Sequence, residues 1–221
     1  MDEAWRAWIP GFDRWAASYD DEVGDPWFAY ERAWAFVERS LQAGLGALAG
    51  RTVVDVGCGT GEFLRRMVER GAQGVGIEPS AGMRAAAERK VPGATLLDGH
   101  LAAIPLDDAS VEAAIATYVV SHLTPTEQPA AIAELLRVVD GAGPIVVVDV
   151  AKTGPDDLPR VRDVLRAAGH GDQVEWYERG FGLDVAAWRT RLEGAGRRVV
   201  TESLGPLLMG LAGLPDEGGR A

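Results

Sequence analysis

Val53-Val54-Asp55-Val56-Gly57-Cys58-Gly59-Thr60-Gly61-Glu62 is the stretch from which the rest of the chain can be read. An apolar run ends in three alternating glycines and passes directly into helix-forming residues, so it reads as a buried strand, a turn and a helix start. Glycine has no Cβ and tolerates positive φ. Such a turn lets backbone N–H groups and a helix N-terminus approach a small ligand closely. The spacing is G-x-G-x-G, and Glu62 stands where a dinucleotide fingerprint wants its third glycine. Asp55, two residues before the first glycine, would face a ligand carrying positive charge rather than a pyrophosphate.

Alternating βα units extend from this turn. Strand 52–56 is followed by a helix from about Thr60 to Arg70, strand 74–78, a helix from Ser80 to Lys90 and a short strand near 94–97. After strand 112–118, Thr124-Pro125-Thr126-Glu127 supplies an N-cap threonine, a proline at the first helical position and a capping-box glutamate. These open a helix to about Val138. Asp140-Gly141-Ala142-Gly143 ends it, and Ile145-Val146-Val147-Val148 reads as a strand buried on both faces. Helices at 158–168 and 184–194, the second capped by Asp184, precede strands near 197–203 and 206–211. This alternation predicts an α/β fold with a mostly parallel sheet and helices on both faces. Upstream, Trp5, Trp8, Phe12, Trp15 and Tyr19 recur at spacings of three or four, so residues 2–45 form an aromatic-rich helical leader. Asp25-Pro26 interrupts it, and Trp27 to Leu48 reads as its second helix.

The 221 residues suit one domain, 1–221. Within it, 1–48 form a helical lid, 51–150 a ligand-binding core, 151–213 a substrate-side segment with the final strands, and 214–221 a tail that frays. The formal charge of −11 disfavours a nucleic-acid partner, whose affinity comes largely from Lys and Arg. Cys58 is the only cysteine, so no intrachain disulfide forms. The start lacks a basic segment followed by an apolar run, and nothing later approaches 18 apolar residues. The expectation is a cytoplasmic chain with no membrane contact. No His, Cys and Asp cluster has metal-ligand spacing, so no metal is expected.

Val53-Asp55-Gly57-Cys58-Gly59-Thr60-Gly61, Gly76-Ile77-Glu78-Pro79-Ser80, Asp98-Gly99 and Ser121-His122-Leu123 together resemble a class I S-adenosylmethionine-dependent methyltransferase. The leader Phe12-Asp13-Arg14-Trp15-Ala16-Ala17-Ser18-Tyr19-Asp20 is similar to that of small bacterial YrrT-like and related methyltransferase-domain proteins. The resemblance runs from about Phe12 to Leu211. It implies a Rossmann-like, doubly wound seven-stranded sheet whose last strand, near 206–211, is antiparallel. Asp140-Gly141-Ala142-Gly143-Pro144 departs from the family's usual L-x-P-G-G turn.

The resemblance implies that Asp55 and the backbone of Gly57, Cys58 and Gly59 hold the amino-acid end of S-adenosylmethionine. Glu78 would accept the ribose hydroxyls, as in dinucleotide enzymes. Pro79 and Met83 would cover the adenine, Asp98 would accept from its amino group, and Gly99 and His100 backbone groups would meet its ring nitrogens. Thr117 and Tyr118 end the fourth strand at the carboxyl edge, where ligands of open α/β sheets collect. Tyr19 is placed toward the cofactor carboxylate or the substrate. His122 is the leading candidate for a general base, with Tyr19, Glu175 and Tyr177 in reserve. Several of these have plainer readings: Asp55 as a turn cap, Met83 as core, His122 as a loop ligand, and Cys58 as a packed thiol without a catalytic partner.

The activity implied is direct in-line methyl transfer to a small-molecule acceptor, with S-adenosylhomocysteine as product, by a monomer or homodimer. The aromatic leader and the segment Gly169 to Leu183, with Trp176, Tyr177 and Phe181, would recognise the acceptor. The acidic balance fits a neutral or cationic acceptor, such as an amine. Two alternatives stay open: a protein that binds this cofactor without turnover, and a nicotinamide-dependent oxidoreductase.

Overall fold

Each apolar run between helix-forming segments becomes one strand of a single sheet: β1 (Thr52–Val56), β2 (Gln73–Ile77), β3 (Thr95–Leu97), β4 (Ala113–Thr117), β5 (Ile145–Val150), β6 (Arg197–Ser203) and β7 (Leu208–Pro215). The structure is a computed structural model describing residues 4–23, 29–141, 143–151, 158–171, 174–179 and 182–216. The strand order is β3-β2-β1-β4-β5-β7-β6. β1 to β5 pair in parallel, and β7 runs antiparallel to both β5 and β6. The seven-stranded, mostly parallel sheet with its antiparallel last strand is therefore as expected.

Period-two alternation sends neighbouring strand residues to opposite faces. Val53, Ile115, Val146 and Val148 pack against Phe36 and Leu41 of α3 (Tyr30–Leu45) and Leu64 and Met67 of α4 (Glu62–Glu69). Val54, Val56, Ala116 and Val147 pack instead on Ile132 and Leu135 of α6 (Gln128–Val138) and Trp188 and Leu192 of α9 (Val185–Gly194). Each such buried side chain contributes about 1.5–3 kcal/mol. Both faces of the central strands are thus covered, as a parallel sheet requires. Between β1 and β4 the chain reverses its direction of winding, which opens a crevice at their carboxyl ends.

The leader departs from two continuous helices. It begins with a 3₁₀ turn at Ala4–Ala7, then α1 (Ile9–Trp15) and α2 (Tyr19–Val23) before α3. Pro10 has no N–H with which to continue the preceding turn. Ser18 Oγ and Trp15 Nε1 both donate to Glu22, at 2.7 and 2.6 Å, holding the corner between α1 and α2. Gly46, with φ +77°, ends α3 before Leu48. The break at Asp25-Pro26, together with Trp27, lies outside the described residues.

Three further boundaries are corrected. The helix expected to open at Thr124 starts at Gln128. Glu127 does reach back to the Thr124 N–H (2.8 Å), but Pro129 cannot donate to the carbonyl four residues earlier. β5 runs through Asp149 to Val150, two residues beyond the apolar run. β7 extends through Leu214 and Pro215, which pair with Arg198 and Arg197, so these two residues belong to the sheet and not to a frayed tail. Residues 217–221 lie outside the described residues. Where the chain departs from the family's L-x-P-G-G turn, Arg197, only 4% exposed, donates to the Gly141 carbonyl at 3.0 Å and to that of Gly143. That arginine holds the altered turn.

Candidate functional site

The glycine turn sits in the crevice at the end of β1. Gly57 and Cys58 both donate to the Ile77 carbonyl, at 2.7 and 3.1 Å, which binds the turn to the end of β2. Gly57 has φ +77°, and a Cβ there would lie 2.6 Å from Val119 Cγ2. Gly59 has φ +53°, and a Cβ there would meet nothing within 4 Å. One glycine therefore keeps two strands in contact; the other keeps open a space beside the turn.

Two carboxylates lie beneath this space. Glu78 accepts from the Gly59 N–H at 3.1 Å through one oxygen and from the Ser80 N–H at 2.8 Å through the other. Asp55 is 1% exposed, and neither of its oxygens has a hydrogen-bond partner of good geometry. Burial, then the charge of Glu78, pushes Asp55 up to about 8. Burial pushes Glu78 up to about 7, against the opposing pull of the Ser80 and Gly59 amides and Arg84. A pair of buried acids with, among the described residues, only Arg84 near one of them is costly unless a further cation is brought to it. The resident groups thus fit a positively charged cofactor with hydroxyls to donate.

These raised values give a pH prediction. An acid whose folded pKa is raised adds stability fully present below its unfolded value and lost as pH rises through the folded one. The ligand-free protein should therefore lose a few kcal/mol between about pH 6.5 and 9, above the range in which neutral His122 adds stability, roughly 5–10 °C in Tm. Thermal melts across that range check this, and Asp55→Asn should flatten the decline. The depressed acids Glu31 and Glu112 act at lower pH and do not contribute in this window.

On the far side of the turn lies a cavity of about 80 Å³, lined by Gly57, Glu78, Pro79, His100 and His122 among the expected residues, and by Trp8, Phe12 and Tyr118. No lysine or arginine among the described residues lines it. At about 30 Å³ per water, it has room for two or three waters. The leader reaches this cavity through Trp8 and Phe12. Asp13 holds α1 there by accepting from Ser80 Oγ (2.6 Å) and the Gly82 N–H (2.9 Å) at the start of α5 (Ala81–Lys90). Asp20 holds α2 by accepting from Thr60 Oγ1 at 2.5 Å and pairing with Lys90 at 2.6 Å.

His122 is 9% exposed and lies between Trp8 and Phe12, each ring centroid 5.2 Å away. Burial pushes it down to about 4, so the imidazole is neutral at physiological pH. Tyr19 shares a 3.3 Å contact with the Tyr30 hydroxyl, and Tyr30 stacks on Tyr118 at 5.1 Å. Burial pushes the Tyr19 phenol up to about 12, which keeps it protonated and unsuited to act as a base.

Other expected residues fall elsewhere. Met83 is 1% exposed and packed in the core, its amide capped by Ser80 Oγ. Asp98 turns outward to Arg84 at 3.3 Å, its side chain 73% exposed. Gly99 leaves room for Pro105, whose Cδ would lie 2.6 Å from a Cβ there. Thr117 ends β4, buried. Cys58 is a buried thiol pushed upward by burial, not an activated nucleophile. Glu175 is exposed on α8 (Val174–Arg179). The side chains of Trp176 and Tyr177, and all of Phe181, lie outside the described residues. The sequence reading gave no individual role to Asp13, Tyr30 or Asp149. For Asp149 the signal was a lone carboxylate closing the apolar run Ile145–Val150.

A family model described as a methyltransferase domain matches residues 53–143. An uncharacterized methyltransferase of Geobacillus kaustophilus is 34% identical over 185 residues, covering 82% of this chain and 86% of its own length. The uncharacterized methyltransferase YrrT of Bacillus subtilis is 30% identical over 165 residues, covering 74% and 77%. Among solved structures, the DhpI complex with S-adenosylhomocysteine superposes with a TM-score of 0.67 at 19% identity, covering 98% of each chain. A Thermotoga maritima protein described as a SAM-dependent methyltransferase, possible histamine N-methyltransferase, superposes at 0.62 with 20% identity, covering 93% and 98%. Among the described residues no helix is long and apolar enough to cross a membrane.

Proposed function

The chain belongs to the S-adenosylmethionine-dependent methyltransferases, and on that premise we propose that it methylates a small neutral or cationic organic acceptor by direct in-line transfer. One observation carries this reading. Glu78, with the Gly59 amide on it and the buried Asp55 carboxylate near enough to raise its charge cost, lines a cavity walled by aromatic rings and a neutral imidazole, with no lysine or arginine lining it among the described residues. Anionic acceptors would meet only repulsion there, and nucleic acid would meet a chain of net charge −11.

When bound, the cofactor supplies an activated methyl group on a sulfonium that is already a good leaving group. The chain's residues do the rest. Asp55, facing the ammonium, and the Gly57–Gly59 backbone would hold the amino-acid end, Glu78 would take the ribose, and Pro79 and His100 would flank the adenine. Trp8 and Phe12 close over the acceptor and exclude water. Alignment of this kind is worth roughly 7–11 kcal/mol. His122 accepts an acceptor proton where one must be lost. Its depressed pKa makes it a weak base, so its share lies toward the lower end of the usual ~10²–10⁴-fold.

The test pairs calorimetry with S-adenosylhomocysteine and a mass-based methylation screen of amines, phenols, thiols, carboxylates, phosphate esters, tRNA and DNA. Methylation confined to uncharged or cationic small molecules is expected. A screen in which only nucleic acid or anionic compounds gain a methyl group would refute the acceptor class. Family membership leaves the oxidoreductase alternative without support.

A further inference from the structure

We propose that Asp149 is a positioning residue for methyl transfer, fixing the Ser121–His122 turn and thereby the His122 imidazole at the wall of the acceptor pocket. This rests on the reading of that pocket given above. Asp149 is the one polar residue of β5, a strand buried at every position, and it is 1% exposed. No lysine or arginine pairs with it among the described residues. An isolated buried carboxylate is retained only if hydrogen bonds hold it.

Its partners belong to the chain it shapes. Asp149 Oδ2 accepts from the Ser121 N–H at 3.0 Å and Oδ1 from the Val150 N–H at 2.7 Å, with the Val120 amide also favouring the ionised form. β4 gives its last sheet bond from the Tyr118 N–H to the Val148 carbonyl (2.8 Å), and Tyr118 then leaves with φ +56°. The next residues form a 3₁₀ turn, Val120–His122, whose first amides have no acceptor within the turn. Asp149, the residue following Val148, supplies that acceptor. A strand end becomes a fixed corner, and the third residue of the corner is the imidazole held between Trp8 and Phe12. Errors of about 1 Å in such placement can cost roughly 10²-fold in rate.

Among the described residues, the titratable groups around Asp149 and the His122 ring are Tyr19 on α2, His122 on the turn itself and, across the cavity, Glu78, whose own midpoint lies higher, at about 7. The opposing strand β7 presents Met209 and Leu208, and Leu183 lies beside the strand end. Burial raises Asp149 to about 6, so acid titration removes the acceptor within an accessible range. His122 and Tyr19 titrate far from it, at about 4 and about 12.

The chain has three histidines, so histidine-selective ¹³C/¹⁵N spectroscopy with S-adenosylhomocysteine calorimetry makes a direct test. The His122 signal, assigned by its loss in His122→Gln, should be displaced upfield by the flanking rings. Between pH 7.5 and 5 it should shift with a midpoint near 6 while its nitrogens remain those of a neutral ring. In Asp149→Asn the inflection should vanish and the upfield displacement collapse, with cofactor-product affinity within about threefold of the parent. On any acceptor turned over, kcat should fall about 10- to 100-fold with the cofactor KM unchanged. A folded Asp149→Asn with an unchanged His122 signal would overturn the proposal. If that variant does not fold, the unmodified protein decides, since a His122 signal flat through pH 6 overturns it equally. The spectra need no acceptor, so an error in the proposed acceptor class would leave this outcome legible.

Discussion

Glu78→Ala should reduce affinity for S-adenosylhomocysteine at least 100-fold while the sheet stays folded. Glu78 has two tasks, and alanine ends both. One is the proposed ribose contact. The other is visible in the fold: its oxygens join the Gly59 N–H to the Ser80 N–H, so the carboxylate ties the glycine turn to the loop that begins α5. Hydrogen bonds to a charged group are worth about 1.5–3 kcal/mol each, so two lost contacts correspond to roughly 10² or more in affinity. Glu78 is raised to about 7 by burial, so the folded protein gains less from its charge at high pH. Ribose hydroxyls that donate to the carboxylate favour its ionised form and reverse that balance. Affinity should rise from pH 6 to 8 with protons released on binding, and Glu78→Gln should weaken this dependence. Calorimetry in buffers of different ionisation enthalpy measures both. Wild-type affinity in Glu78→Ala would remove the ribose assignment and leave Glu78 a purely structural tie.

Much of this arrangement was legible in the sequence, for a physical reason. The turn from β1 into α4 and the acid at the end of β2 belong to contiguous segments whose geometry is local: strand period, positive-φ glycines and a helix start. Gly57, Glu78, Pro79 and His100 accordingly line one cavity, with the Gly59 amide bonded to Glu78. Asp98 and Met83 came from a strand end and a helix face, where local pattern does not fix which way a side chain turns. Arg84 draws Asp98 outward, and the core takes Met83. The leader was readable as helical but not in its breaks, because the Glu22 contacts that fold its corner depend on side-chain reach. Asp149 escaped for the opposite reason. Its Ser121 partner lies 28 residues away in sequence, on another strand's exit, and only the β4–β5 register brings the two together.

Gly57→Val and Gly59→Ala should separate what the glycine turn does for the fold from what it does for the ligand. At Gly57 a Cβ would come within 2.6 Å of Val119 Cγ2 and 2.7 Å of its Cβ, on backbone already at φ +77°. Valine adds two methyl groups to that clash. Relief requires moving Val119, which heads the turn bearing His122, so the damage reaches both sides of the crevice. Strain and overpacking of this kind cost about 1–3 kcal/mol each, roughly 5–15 °C in Tm at this chain length. Binding of S-adenosylhomocysteine should become undetectable. At Gly59 the fold offers no obstacle: a Cβ meets nothing within 4 Å, and only the left-handed backbone, at φ +53°, resists it, by about 1–2 kcal/mol. The added methyl would enter the space kept open beside Glu78. Gly59→Ala should therefore melt within about 5 °C of the parent yet bind S-adenosylhomocysteine at least tenfold more weakly. The comparison isolates the ligand's claim on that space. A Gly59→Ala protein with undiminished affinity would mean that the cofactor's backbone cradle lies elsewhere, whatever happens at Gly57.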